Sequence, residues 1–270
     1  MSMIKPHALQ RTTMSSLQSD NAPASERLSK RVAHLRGCSR REAEQLIEGG
    51  WVQVNGVVVD EPMVRVTDQT VLIDANASPM ALADVTLLLH KPPGLDAMAP
   101  LDVANKRVKS AQQLLQAATH WAQDESGQRV LKHHFTKLSA GVPLETAASG
   151  LVVFTQDWRV LRKLTEDAAL IELEFLVEVQ GAVSEEALHH LDALGVMEKL
   201  PPFKASVNST GEGITRLRFA VKGAHLGLIA YLCERVGLHI VSMKRLRIGR
   251  VTLAHLPQGQ WRYLQDGERF

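Results

Sequence analysis

Glu145 is the residue of this chain best placed to do chemistry. It is the lone acid in PLETAASGL (Pro143–Leu151), a run of small residues that leads into the apolar, strand-like GLVVFTQD. A carboxylate at the mouth of a buried strand is either a general base or nucleophile, or a solvated loop charge. The other candidate chemistry is phosphate binding. Between Arg27 and Arg41 lie six basic residues (Arg27, Lys30, Arg31, Arg36, Arg40, Arg41) and no Asp or Glu, and Lys244, Arg245, Arg247 and Arg250 form a second group near the C-terminus. The pairs His133-His134 and His189-His190 lack a third ligand at useful spacing, since neighbouring histidines point in different directions, so no metal is expected. Along a strand, neighbours alternate sides, so only part of the Lys244–Arg250 group can meet one ligand.

The elements that must position these residues follow from pattern. In SERLSKRVAHLRG, Leu28, Val32 and Leu35 share a helical face and Gly37 stands at the C-terminal cap. In SRREAEQLIEGG, Ser39 and Glu42 have capping-box spacing, Ala43, Leu46 and Ile47 form the apolar stripe, and Gly49 ends the helix. WVQVNGVVVD then alternates around Asn55-Gly56, a hairpin turn, and TVLID reads as a third strand. Arg40 and Arg41 occupy the first turn of the second helix, where backbone N–H groups already favour phosphate.

Composition bounds the partners. The 270 residues carry 45% hydrophobic and 22% charged side chains and a formal net charge of +2, as expected of a globular protein of one or two domains that is not a polycation. Cys38 and Cys233 stand far apart without a zinc or redox spacing, which favours a reducing cytoplasm. No apolar run is long enough to span a bilayer, and no membrane partner is expected. Residues 1–24 are polar and aperiodic and read as a disordered tail; Lys5 and Arg11, with no acid before Asp20, also fit a transit peptide.

ERLSKRVAHLRGCSRREAEQLIEGGWVQVNG resembles the RNA-binding domain of the ribosomal-protein-S-four type, over residues 26 to 74. The resemblance implies a small ααβ domain over 25–75 whose helices contact RNA through Lys30, Arg31, Arg40 and Arg41. Glu42 and Asn55-Gly56 keep structural roles, in the cap and the turn.

Beyond a linker at ANASPMALADV, TLLLHKPPGL reads as a strand stopped by Pro92-Pro93 and turned at Gly94. Residues 108–121 are helix-like and 130–137 extended. IELEFLVEVQG is a strand, SEEALHHLDALG a helix capped by Ser184 and Gly195, and ITRLRFAVKG and LHIVSMKRLRIGRVTL are strands flanking a helix at 225–236. This mixture without βαβ order predicts an α+β fold: the small domain, then a mixed or antiparallel sheet with flanking helices over 84–270.

That second half resembles the catalytic domain of bacterial ribosomal-RNA pseudouridine synthases, in the branch with an N-terminal domain of the type just described. LLLHKPPGL is similar to the family's N-K-P-x-G turn, SGLVVFTQD to S-G-L-L-L-L-T-N-D, and MKRLRIGRVTLAHLPQGQWRYL to its basic strand and P-x-G-x-W-R-x-L ending. GQWRYL looks closest to the subgroup acting on large-subunit RNA. The family's G-R-L-D-x-x-T/S-x-G-L loop places Val142, Pro143, Leu144 and Glu145 on G, R, L and D, so a glutamate stands where the catalytic aspartate belongs. The reaction implied is base flipping, attack or proton abstraction by that carboxylate, glycosidic cleavage and re-attachment of uracil through carbon, without a cofactor.

Several departures accompany that exchange. One extra methylene displaces the carboxylate by about 1 Å, a misplacement that can cost roughly a hundredfold. Pro143 replaces an arginine, and Phe175 replaces the tyrosine of the K-x-Y strand. AHLGLIAY stands where N-R-Q-I-R-R supplies the carboxylate's cation, and a buried carboxylate without that cation tends to become neutral. The resemblance also implies RNA contacts from Lys91, Lys244 and Arg245 and a monomer acting on ribosomal RNA or a ribosome-assembly intermediate. Two functions follow: an RNA-modifying isomerase, or a noncatalytic RNA-binding assembly or regulatory factor on the same scaffold.

Overall fold

The computed structural model describes residues 25–80, 82–100 and 109–270, and the expected tail over 1–24 lies outside them. The chain falls into two compact units, Met1–Met80 and Ala81–Phe270.

The first unit is built by local signals. Strand β1 (Glu26–Arg27) precedes α1 (Leu28–Arg36), which ends at Gly37 with φ 66, a conformation glycine adopts without a Cβ penalty. Helix α2 (Arg40–Glu48) starts at a complete capping box: Ser39 Oγ accepts from the Glu42 N–H at 3.3 Å, and the Glu42 carboxylate accepts from the Ser39 N–H at 2.8 Å. Strands β2 (Val52–Val54) and β3 (Val57–Val58) join through Asn55 and Gly56, both at positive φ. Strand β4 (Arg65–Val66) pairs with β1, and β5 (Val71–Ile73) pairs with β2. Leu28, Val32, Ala43, Leu46, Ile47 and Val52 pack between helices and sheet as the core. Each large aliphatic side chain so buried contributes about 1.5–3 kcal/mol.

The second unit is a nine-stranded mixed sheet with helices α3 (Trp158–Thr165), α4 (Glu185–Met197) and α5 (Leu228–Arg235). Its strands are β6 (Thr86–Lys91), β7 (Ser139–Ala140), β8 (Ser149–Thr155), β9 (Glu172–Gln180), β10 (Phe203–Gly211), β11 (Ile214–Lys222), β12 (Ile240–Ile248), β13 (Val251–Thr252) and β14 (Trp261–Tyr263). They run in the order β10-β11-β9-β12-β8-β6-β14, with β13 on β12 and β7 on β8. Every pairing is antiparallel except β12 with β8. Strands β6 and β8 are buried along their whole length, as their uninterrupted apolar runs require.

Three expectations of the sequence are corrected. Residues 109–121 form 3-10 turns at Ala111–Leu114 and Ala117–Thr119, and the expected extended run at 130–137 contains a 3-10 turn at Lys132–Phe135. Tertiary bonds override local preference there. The Trp261 indole N–H donates to Gln116 O at 2.8 Å, the Trp121 N–H to Trp261 O at 2.8 Å, and the Tyr263 N–H to the Asp124 carboxylate at 2.9 Å. Gly195 does not cap α4, which continues to Met197; instead the missing Cβ lets the helix pass the Phe203 ring, where a Cβ would sit 3.0 Å from Cε1.

Candidate functional site

The sheet register brings the expected site residues into one row across five strands. Lys91 on β6 pairs with Gly150 on β8, Gly150 with Arg245 on β12, Arg245 with Phe175 on β9, and Phe175 with Phe219 on β11. Gly150 has φ 121, and a Cβ there would overlap the Arg245 backbone. Only glycine allows β8 and β12 to meet at this point.

Lys91 and Arg245 are both 0% exposed. The expectation that they contact RNA is therefore corrected: they are buried clamps on the loop that carries Glu145. Arg245 donates to the carbonyls of Val142 at 3.0 Å, Pro143 at 2.6 Å and Leu151 at 2.8 Å. Lys91 donates to those of Ala148 at 2.6 Å, Pro92 at 3.1 Å and Thr146 at 3.2 Å. Burying a cation is costly unless acceptors replace its water, and six carbonyls do so here. Burial pushes the Lys91 ammonium down to about 8, with the Arg245 charge acting in the same direction and Asp96 and Glu145 opposing. It pushes Arg245 down to about 9 against the attraction of Glu145.

Glu145 itself is half-exposed, in keeping with a loop acid at the mouth of the strand. Its Oε1 accepts the Gly227 N–H at 3.0 Å, and its backbone carbonyl accepts the Ala148 N–H at 3.0 Å. Gly227 has φ 81, which aims this N–H at the carboxylate just before α5 begins. Among the described residues no Lys or Arg side chain lies within ion-pair distance of Glu145: the guanidinium and ammonium beneath it are spent on loop carbonyls. His225 turns away, its Nε2 lying 3.2 Å from Lys222 O. Leu228 and Ile229, from the segment that in the family pattern brings the cation, are buried apolar residues.

Phe175, 7% exposed, lines the same recess as Glu145, with Pro143, Leu173, Val221 and Ile229. The recess measures about 10 Å³, room for about one water. The ring keeps a stacking surface and offers no hydroxyl.

The basic group on β12 is divided. Lys244 pairs with Leu176 on the sheet face opposite Arg245. Arg247 also lies there, held by Glu172 at 2.6 Å and Glu174 at 2.8 Å, beside the pairs Arg216–Glu178 at 2.9 Å and Arg218–Glu174 at 3.1 Å. Of the other candidates, His134 is buried with Nδ1 2.7 Å from the Tyr263 hydroxyl oxygen. Burial pushes the Cys233 thiol up to about 11, which keeps it protonated and a poor nucleophile. Among the described residues no three His, Cys, Asp or Glu side chains form a metal site, and no helix is long and apolar enough to cross a membrane.

In the first unit, the four cations singled out by sequence differ in availability. Arg31 is half-buried, paired with the Glu26 carboxylate and donating to Thr67 O at 2.8 Å, so it braces the unit. Lys30 is exposed at 3.8 Å from Glu26, and Arg40 is exposed at 3.2 Å from Glu44. Arg41 is exposed on the first turn of α2.

Sequence reasoning missed the Gly227 N–H and the clamping roles of Lys91 and Arg245. The signal for Lys91 was its place at the end of TLLLHK, a run buried on both faces.

An ααβ unit with an exposed basic helical start, followed by a mixed sheet carrying an acidic loop over a hydrophobic recess, defines an RNA-binding module joined to a pseudouridine-synthase fold. Residues 26–72 match the S4 domain. The chain is 26% identical over 245 residues to an uncharacterised RNA pseudouridine synthase of Aquifex aeolicus (strain VF5), covering 90% of this chain and 94% of that protein. It is 28% identical over 254 residues to ribosomal large subunit pseudouridine synthase B of Bacillus subtilis (strain 168), covering 90% and 93%. It is 27% identical over 261 residues to the dual-specificity RNA pseudouridine synthase RluF of Escherichia coli (strain K12), covering 91% and 77%. A crystal structure of a pseudouridylate synthase shares the fold with a TM-score of 0.51 at 20% identity, covering 88% of this chain and 96% of that one. Over about nine-tenths of its length the chain is thus similar to RNA pseudouridine synthases, with an S4 domain matched at its N-terminal side.

Proposed function

We propose that this protein binds structured ribosomal RNA through its S4 unit, and that its synthase fold serves recognition without isomerising uridine. On this reading it is a monomeric, noncatalytic factor acting on ribosomal RNA or a ribosome-assembly intermediate, with large-subunit RNA favoured by the names of its relatives. The observation that carries the reading is the state of Glu145. The carboxylate at the catalytic position is held by the Gly227 N–H, has no Lys or Arg in ion-pair reach among the described residues, and borders a recess of about 10 Å³. Isomerisation needs a flipped base against an aimed, charge-stabilised carboxylate. Here the carboxylate has no Lys or Arg at its oxygens among the described residues, and the ring beneath the base lacks its hydroxyl.

The other reading, a working isomerase, is favoured by one observation: Glu145 and Phe175 still line a single recess, and the segment 142–151 that carries Glu145 accepts five hydrogen bonds from Lys91 and Arg245. Mass-spectrometric mapping of pseudouridine in ribosomal RNA with and without the protein separates the two. The noncatalytic reading expects identical maps together with salt-sensitive RNA binding; a uridine modified only when the protein is present overturns it.

A further inference from the structure

Helices α4 and α5 pack on one face of strands β10, β11, β9 and β12, the face that holds Phe175, Phe219 and Arg245. The opposite face is open to solvent: Lys204, Ser206, Arg216, Arg218 and Lys222 are all exposed there. Register orders its residues. Ser206, Arg218, Leu176, Lys244 and Ser149 form one row across five strands, and Lys204, Ala220, Glu174 and Arg247 form the next. With Arg216 and Lys222 the face holds six cations against three acids, Glu172, Glu174 and Glu178. At the turns that bound it, Glu212 and Arg250 cancel.

The three glutamates are already engaged. Glu178 accepts from Arg216 at 2.9 Å and from Ser242 at 2.8 Å. Glu174 holds Arg218 at 3.1 Å and Arg247 at 2.8 Å, and Glu172 holds Arg247 at 2.6 Å. Among the described residues no carboxylate lies within ion-pair distance of Lys204, Lys222 or Lys244. Neighbouring strands stand about 4.8 Å apart, so the cations from Lys204 on β10 to Lys244 on β12 span about 14 Å, enough to follow several phosphates of one strand. Protein interfaces have aromatic-rich centres depleted in lysine, whereas these two rows present no aromatic ring and Leu176 at their middle is half-buried. Lysine, arginine and hydroxyl groups such as that of Ser206 are what phosphate oxygens meet.

We propose that this open sheet face is a second RNA-binding surface, which grips phosphates through Lys204, Lys222, Lys244 and Arg218 without reading bases. It rests on the reading that the protein binds ribosomal RNA. The surface lies on the side of the sheet away from Phe175 and the Glu145 recess, so it holds RNA without presenting a uridine to the carboxylate.

The test measures retention of a ribosomal RNA fragment on filters by the full-length protein over a series of KCl concentrations. Lys204→Gln/Lys222→Gln/Lys244→Gln is expected to lower the slope of log affinity against log salt by about two to three, and to weaken binding about tenfold or more at about 0.15 M salt. The exposed pair Lys204→Gln/Lys222→Gln should lower the slope by about one to two with an unchanged melting temperature. Both losses should be the same for RNA fragments of different sequence. A control with equal loss of charge elsewhere in the unit, Lys137→Gln/Arg159→Gln/Lys199→Gln, should change the slope by less than about one. An unchanged slope in both lysine variants, where Arg40→Ala/Arg41→Ala still lowers it, overturns this proposal and leaves the S4 reading intact. An equal fall in the control, or a loss confined to one RNA sequence, also overturns it. So does binding of a polyglutamate peptide that the triple variant loses while its RNA affinity is unchanged, which would give the face to an acidic protein segment. Failure of the unmodified protein to retain RNA at any salt would remove the reading beneath the proposal, and the proposal with it.

Discussion

Lys91 offers the sharpest check on the loop clamp, because its proton is coupled to folding. Its ammonium is pushed down to about 8 in the fold from 10.5, chiefly by burial and next by Arg245. Below pH 8 both folded and unfolded chains hold the proton, and the cost of burying the charge is present in full. Between pH 8 and 10.5 the unfolded chain binds more protons than the folded one, so this group makes stability rise with pH. At about 1.4 kcal/mol per unit the whole window is worth at most about 3 kcal/mol, of which about 2 kcal/mol falls between pH 8 and 9.5. The perturbation is Lys91→Met, which keeps the aliphatic stem and removes the titration. Urea unfolding followed by tryptophan fluorescence in a Trp51→Phe background reports only Trp121, Trp158 and Trp261, all in the second unit. The difference in stability between the Lys91 protein and the Lys91→Met variant should shift toward the lysine form as pH rises through that window. Subtraction removes the titration of groups that do not interact with Lys91, including Cys233. A difference that stays flat from pH 7.5 to 9.5 would refute the lowered pKa of the Lys91 ammonium.

Other outcomes follow from the same geometry. Arg40→Ala/Arg41→Ala should lower the salt dependence of RNA binding by about two counterions and weaken affinity in filter binding, with an unchanged melting temperature; unchanged affinity would remove the first turn of α2 from the interface. Gly150→Ala should destabilise the second unit by about 3 kcal/mol or more in urea titration, because its Cβ meets the Arg245 backbone and its φ of 121 disfavours any other residue. Glu145→Asp alone should yield no pseudouridine in a tritium-release assay, since the shorter carboxylate still lacks a cation and Phe175 still lacks a hydroxyl; activity in that single variant would show the extra methylene to be the whole defect.

The fold was legible wherever local chemistry decides structure. The capping box at Ser39 and Glu42, the αL glycine at position 37 and the Asn55-Gly56 turn each stand in the structure as their residues require. Strand β10 was not read from FKASVNSTG because an edge strand exposed on most positions carries no apolar alternation, and its register slips between Val207 and Ser209. Helix α3 was not read because WRVLRKLT buries only Leu164 fully and leaves Trp158 exposed. The 109–135 region is shaped by Trp261 and Tyr263, more than a hundred residues away, and no window of local sequence holds that information.

At the site, sequence named Glu145 and Phe175 and the structure joins them at one recess, but it misjudged the cations for a definite reason. Two-residue alternation puts Arg245 and Arg247 on the same side of β12. A bulge between them shifts the register, so Arg245 opposes Phe175 and turns inward while Arg247 opposes Glu174 and turns out. That one irregularity converts an apparent RNA track into an anchor beneath the Glu145 loop. It also separates two properties the sequence had merged. The loop's shape depends on Lys91, Arg245 and Gly150, none of which hydrogen-bonds a carboxylate oxygen of Glu145, whereas its reactivity depends on what meets those oxygens, and there, among the described residues, the Gly227 N–H alone bonds them. A scaffold built this way can lose its chemistry without losing its form. Binding assays and isomerisation assays on this protein therefore report on different residues.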